Sequence, residues 1–87
     1  MKREKYIVKD VAGLHARPAS ILSAAASKYQ GNVDILYKDK KVTLKSIMAV
    51  MSLGIPHESE FFIEVDGEKE DEQLAIFTNI LEEHKII

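Results

Sequence analysis

The apolar residues of this chain change period along its length, and the order of those changes restricts the fold more than any other feature. Tyr6-Ile7-Val8 is a short β-prone run flanked by charge and reads as a first strand. From Pro18 to about Tyr29 the spacing turns helical. Ala19, Leu22, Ala26 and Tyr29 recur at steps of three, four and three, the core stripe of an amphipathic helix that Gly31 would stop. Val33, Ile35 and Tyr37 then alternate, Lys38-Asp39-Lys40-Lys41 supplies a polar turn, and Val42 and Leu44 resume the alternation, which predicts a hairpin. Ser46 is a good N-cap and Gly54 a good stop, so a short helix is expected between them. Phe61, Ile63 and Val65 alternate as a last strand that ends at Asp66-Gly67. Leu74, Phe77 and Leu81 mark a C-terminal helix. Glu68, Glu70, Asp71 and Glu72 stand at its start and His84 and Lys85 at its end, an order that suits the helix dipole.

The elements therefore run β-α-β-β-α-β-α. Such an order, with a hairpin in the middle, predicts an α+β two-layer sandwich: an antiparallel or mixed sheet covered on one face by helices. At 87 residues the chain has room for one domain, taken as residues 1–87. Its composition, 46% apolar and 30% charged, is that of a globular domain rather than a disordered one. A net charge of −2 gives no support to nucleic-acid binding. With no cysteine there is no disulfide framework, no thiolate metal site and no thiolate nucleophile. No apolar run approaches the ~20 residues that cross a bilayer. Met1-Lys2-Arg3-Glu4-Lys5 is followed by no apolar segment of the secretory kind. By elimination, a cytoplasmic protein without membrane insertion is expected.

Chemistry concentrates in Gly13-Leu14-His15-Ala16-Arg17-Pro18-Ala19. This stretch sets a histidine just before a helix start, where free backbone N–H groups and the helix dipole favour an anion. An isolated histidine at a helix start is often only a cap or a surface residue. Here Arg17 follows, and its planar donor fork suits a phosphate. A neutral imidazole offers one nitrogen lone pair that can attack phosphorus and form a phosphoramidate. Pro18 is expected to bias Arg17 away from helical dihedrals and so to set the geometry. Asp10 is the nearest carboxylate and reads as a solvated loop residue. The chain has no Gly-rich nucleotide loop. A phosphate-accepting histidine without a nucleotide site points to a carrier charged by another protein. It does not point to a self-sufficient enzyme, and no cofactor or metal is expected. His57, in Pro56-His57-Glu58, and His84, at a helix end, lack a second ligand at metal spacing.

Gly13-Leu14-His15-Ala16-Arg17-Pro18-Ala19 together with Leu44-Lys45-Ser46-Ile47-Met48-Ala49-Val50-Met51-Ser52-Leu53-Gly54 strongly resembles HPr. This family comprises the histidine-containing phosphocarriers of the bacterial sugar phosphotransferase system. Ser27-Lys28-Tyr29 and the element order also look like its Gram-positive form. The resemblance spans nearly the whole chain. It implies an open-faced sandwich with a four-stranded antiparallel sheet and three helices on one side. It further implies that His15 accepts the phosphoryl group through Nδ1, with the Arg17 side chain and the Ala16 and Arg17 amides near the phosphate. The donor would be phosphorylated enzyme I and the acceptors enzyme IIA domains of sugar permeases, with the chain working as a monomer.

Ser46 reads as an N-cap whatever else holds. The resemblance adds a regulatory phosphorylation there by HPr kinase/phosphorylase, with a catabolite-control transcriptional regulator as a further partner. A short helix cannot bury Ile47, Met48, Val50, Met51 and Leu53 on one face. Val50 and Leu53 are the expected core positions. Exposed Met suits a surface with several partners. The resemblance implies that Ile47, Met48 and Met51 join Ser20, Ile21 and Ala24 in a shared docking surface. Four features depart from the usual family pattern. Ala12 replaces a small polar residue, Ala24 a polar or basic one and Ala49 a frequent Gly. The Pro56-His57-Glu58-Ser59 loop is more polar and acidic than usual. These departures bear on partner choice more than on the central chemistry. Two other roles stay open at this stage: a mainly regulatory protein acting through phospho-Ser46, and a carrier of a specialised non-sugar phosphotransfer chain.

Overall fold

Period-two burial builds the sheet. The computed structural model describes all 87 residues. Its strands are β1 (Lys2–Ile7), β2 (Asn32–Tyr37), β3 (Lys40–Thr43) and β4 (Glu60–Asp66). Its helices are α1 (Ala16–Ser27), α2 (Ile47–Ser52) and α3 (Glu70–Glu83). The strands lie in the order β1-β4-β2-β3, and every neighbouring pair is antiparallel. The sheet is thus antiparallel throughout rather than mixed, and the fold is an open-faced α+β sandwich.

Strands β1, β2 and β4 send side chains into a single core, and Val42 of β3 packs partly buried against it. Tyr6, Val33, Ile35, Phe61, Ile63 and Val65 are buried there with Ala19, Leu22 and Ala26 of α1, Val50 of α2, and Leu74, Phe77 and Leu81 of α3. Registers align these residues: Tyr6 faces Phe61, with ring centroids 5.4 Å apart, and Ile35 faces both Val42 and Ile63. Side chains so paired across strands are the unit of sheet stabilisation.

Several boundaries differ from the sequence expectation. β1 begins at Lys2, because pairing with β4 extends it through a charged segment without apolar alternation. The hairpin turn is two residues, Lys38-Asp39, since Tyr37 pairs directly with Lys40; Lys38 takes the positive φ of 56°. Lys40 and Lys41 therefore belong to β3. α1 ends at Ser27, before Gly31. A side chain on Gly31 would collide with the Asp66 carbonyl and the Tyr29 ring, so this glycine permits a close backbone approach instead of stopping the helix. Ser23, off the expected stripe, is buried, and its hydroxyl donates to the Lys45 carbonyl at 2.8 Å.

α3 ends in a motif that brings the Ile86 carbonyl to the Lys9 and Asp10 amides. Ile86 N–H bonds the Leu81 carbonyl at 2.8 Å and Lys85 N–H bonds that of Glu82 at 3.1 Å, with Lys85 at a φ of 57°. This is the Schellman pattern with lysine in the usual glycine position. It turns Ile86 inward, where it is fully buried.

The open face of the sheet carries one buried carboxylate. Glu64 is 3% exposed and accepts from Arg3 of β1 at 2.9 Å and Lys41 of β3 at 3.0 Å, so it ties both edge strands to β4. The Lys41 hydrogen bond is the main cause that holds its carboxyl below the ordinary 4.5; partial burial opposes this and Arg3 adds to it. A carboxyl lowered on folding stabilises fully above its unfolded value and loses that contribution as pH falls through the folded value. Glu64→Gln is therefore expected to lower stability at neutral pH by about 1–2 kcal/mol. It should also flatten the loss of stability below pH 4.5. Urea midpoints for both proteins at neutral and acid pH check this; a variant that loses as much on acidification as the parent would refute it.

Candidate functional site

His15 is the N-cap of α1. Its backbone is extended (φ −89°, ψ −165°), its carbonyl accepts from Ala19 N–H at 3.1 Å, and its side chain makes no capping bond. The imidazole is thus free to project from the helix start, with its side chain 36% exposed. The next two amides, of Ala16 and Arg17, have no acceptor within the protein, and Pro18 has no N–H. Two unpaired amides and the positive end of α1 therefore meet beside the ring.

The extended residue is His15, and Arg17 lies within the helix. This overturns the expectation that Pro18 holds Arg17 out of helical dihedrals. A proline in the first turn removes no intrahelical bond, so the helix starts at Ala16 and tolerates Pro18 as its third residue. Pro18 is itself buried, and its contribution is packing and a fixed φ.

The loop before the helix is fastened to the body by backbone bonds. Leu14 N–H reaches the Ile55 carbonyl at 2.9 Å, and Gly13 takes a φ of +73° to allow it. A Cβ on Gly13 would sit 2.6 Å from the Ile55 oxygen and 3.1 Å from Pro56 Cα. The Pro56–Ser59 loop, one of the family departures, therefore packs directly on the segment that carries His15. His57 in that loop lies 3.7 Å from the carboxylate of Glu58. His84 is the C-cap of α3. Neither is bonded to His15.

Asp10 is not a solvated loop residue. Its side chain is 15% exposed, with Oδ1 accepting from Ala12 N–H at 3.0 Å and Oδ2 lying 3.4 Å from His15 Nε2 and 3.9 Å from Arg17 Nη2. The Ala12 amide is the chief cause that holds this carboxyl below the usual range; partial burial opposes it, and His15 and Arg17 reinforce it. Sequence reasoning missed Asp10 as a site residue. A signal was present: an Asp two residues before a loop amide, ahead of a glycine, is the pattern of an Asx turn.

The second motif lies at the start of α2. Ser46 is the N-cap, with extended backbone (φ −111°, ψ 116°), and its Oγ accepts from Ala49 N–H at 3.2 Å. The preceding Lys45 holds this segment against the loop that follows α1, because its Nζ donates to the Tyr29 and Gly31 carbonyls at 2.8 and 2.9 Å. Val50 and Leu53 are core, as expected, while Ile47, Met48 and Met51 are 41%, 83% and 43% exposed. α2 packs beside α1, whose Ser20 and Ala24 are exposed and whose Ile21 is half-buried. An apolar surface is thus left uncovered next to the helix that His15 caps.

The family model described as the PTS HPr component phosphorylation site matches residues 2–83. The chain belongs to the HPr family. By that membership it is a phosphocarrier of the phosphotransferase system. It is 41% identical, over the full length of both chains, to the phosphocarrier protein HPr of Mycoplasma genitalium. Its fold superposes on a solved histidine-containing phosphocarrier protein from a Mycoplasma with a TM-score of 0.95, at 36% identity and covering 99% of this chain and 98% of that one. HPr-C-His from Thermoanaerobacter tengcongensis matches with a TM-score of 0.87, at 34% identity and covering 94% and 92% of the two chains. No helix of this HPr-family chain is both long and apolar enough to cross a membrane.

Ser46→Ala removes the acceptor for the Ala49 amide. It is expected to lower stability by about 1 kcal/mol, as losses of N-cap serines do. A urea denaturation midpoint equal to that of the parent would refute a structural role for this cap.

Proposed function

We propose that His15 Nδ1 accepts a phosphoryl group from phosphorylated enzyme I and passes it to enzyme IIA domains of sugar permeases. The observation that carries this reading is the placement of a half-exposed imidazole at the cap of α1 beside the unpaired Ala16 and Arg17 amides. In the transfer step the Nδ1 lone pair forms a bond to phosphorus. The bond from phosphorus to the donor's leaving atom breaks, and that atom keeps the electron pair. The Ala16 and Arg17 amides and the Arg17 guanidinium then face the phosphoryl oxygens. All these donors lie at the surface, which suits a carrier. A group held very tightly in the ground state would be slow to leave, since ground-state binding does not lower the next barrier.

The apolar surface of Ile47, Met48 and Met51, with Ser20, Ile21 and Ala24, serves as the docking face for donor and acceptors in turn. Met side chains adapt to several partners, and brief encounters need only a small interface. The protein works in this reading as a cytoplasmic monomer.

A regulatory role for Ser46 is supported by its position. Its hydroxyl stands at a helix start, where the dipole tolerates a phosphate, and it borders the exposed Ile47 and Met48. A phosphate there adds negative charge to the docking face and opposes the donor. HPr kinase/phosphorylase would install it, and a catabolite-control regulator would read it.

Incubation with phosphoenolpyruvate and enzyme I is expected to give an acid-labile, base-stable phosphoryl group on the parent and none on His15→Ala. Retention of that label in His15→Ala would overturn the assignment. Arg17→Ala should still be labelled, but more slowly, by about 10-fold or more in rate, as expected for loss of a charge-assisted contact. HPr kinase with ATP should label the parent and not Ser46→Ala; an unlabelled parent removes the regulatory reading.

A further inference from the structure

The contact between Asp10 and His15 has a consequence for which ring nitrogen is nucleophilic. Asp10 Oδ2 lies 3.4 Å from Nε2 of His15, and Nδ1 has no partner in the protein. An ionised carboxylate can only accept a hydrogen bond. The imidazole nitrogen facing it must then be the one that carries hydrogen, and the lone pair is left on Nδ1. We propose that Asp10 is a positioning residue that holds His15 in the Nε2–H tautomer, so that Nδ1 is the nucleophile, and that balances the charge of the ring once Nδ1 carries the phosphoryl group. This inference rests on the assignment of His15 as the phosphoryl acceptor.

Asp10 is well placed for such a task because three backbone–backbone bonds hold its segment and a fourth bond fixes its carboxylate. The Ile86 carbonyl accepts from Lys9 N–H at 2.7 Å and from Asp10 N–H at 3.3 Å. Asp10's own carbonyl accepts from Gly13 N–H at 2.9 Å, and its Oδ1 accepts from Ala12 N–H at 3.0 Å. Ile86 is in turn fully buried by the turn that ends α3. The C-terminal segment therefore anchors the loop whose carboxylate faces the ring. Arg17 is the other charged group facing this carboxylate, 3.9 Å away on the first turn of α1, and His57 on the neighbouring loop is turned to Glu58.

No proton has to move for the transfer. Nδ1 gains the phosphorus, Nε2 keeps its hydrogen, and the ring becomes cationic. The fixed negative charge of Asp10 offsets that cation at the moment it forms, as a preorganised group does without reorganisation. A carboxylate that orients a histidine from behind plays the same part in other nucleophilic sites, where the corresponding Asn supplies an N–H and selects the wrong tautomer.

That precedent makes the test sharp. In Asp10→Asn the Oδ1 atom can still accept from Ala12 N–H, so the loop keeps its bond. The planar amide then turns its NH2 toward His15 Nε2, which favours hydrogen on Nδ1 and blocks the nucleophile. In Asp10→Ala the ring is only released. Nitrogen NMR of the imidazole in alkaline solution, where the ring is neutral, should show hydrogen on Nε2 in the parent, a mixture in Asp10→Ala and hydrogen on Nδ1 in Asp10→Asn. The kcat for phosphoryl transfer from phosphorylated enzyme I should fall about 10- to 100-fold, as for loss of an orienting partner, with KM for the chain little changed. The fall should be larger for Asn than for Ala. A parent-like ring spectrum in both variants, or an Ala variant worse than Asn, would overturn the proposal. The ring spectrum is read on unphosphorylated protein. It therefore fails or succeeds independently of the labelling of His15→Ala, which tests the function.

Discussion

The hydrogen bond from Leu14 N–H to the Ile55 carbonyl decides where α1 begins, and much of the molecule is arranged around it. The bond requires Gly13 at positive φ, because any side chain there would meet the Ile55 oxygen. Leu14 is buried in consequence, and the next residue becomes the cap of α1. Were the cap one residue later, one of the two positions after it would be Pro18, which has no N–H to offer. Ile86 fastens the other end of the same loop through two backbone bonds. A surface segment is thus fastened at both ends by backbone bonds while His15 keeps a half-exposed side chain and Arg17 an exposed one.

Exposure of this kind suits a group that must arrive and leave. The donors around His15 are backbone amides at a helix start and one guanidinium, all reachable by a partner protein. An 87-residue domain has little volume to spare for a deep pocket, since the helices and one sheet face consume its core. Small size and the carrier's chemistry therefore favour the same shallow solution. The exposed Ile47, Met48 and Met51 follow from the same limit. α2 is too short to bury its whole apolar surface against α1 and the sheet, and Val50 and Leu53 take the inward positions.

Local pattern made most of the fold legible. Alternation at Val33-Ile35 and at Phe61-Ile63-Val65 marked the core strands, and the 3.6-residue stripe marked α1 and α3, because one-sided burial imposes those periods. The placement of His15, Arg17 and Ser46 at helix starts was legible too, since Pro18 and Ser46 signal those starts. The failures share a cause. Lys2 to Lys5 were not legible as strand because pairing with β4, not apolar alternation, makes them one. Ser23 and Glu64 are polar residues buried by partners distant in sequence, Lys45 for one and Arg3 with Lys41 for the other. Asp10 belongs with them in part: its Asx turn is local, but its backbone is tied to the Ile86 carbonyl at the far end of the chain.

By itself, then, the sequence determined the order of elements, the two-layer α+β class, the helix-start histidine with its arginine, and the capping serine. All of these follow from periods and caps that act within a few residues, where chain connectivity already supplies the proximity. Tertiary structure alone decided that Arg17 lies inside the helix and not before it, that the Pro56–Ser59 loop packs on the site, and that Asp10 faces Nε2 of His15. Each of these depends on a backbone bond or a close approach between segments that only folding brings together, so no local spacing could encode it.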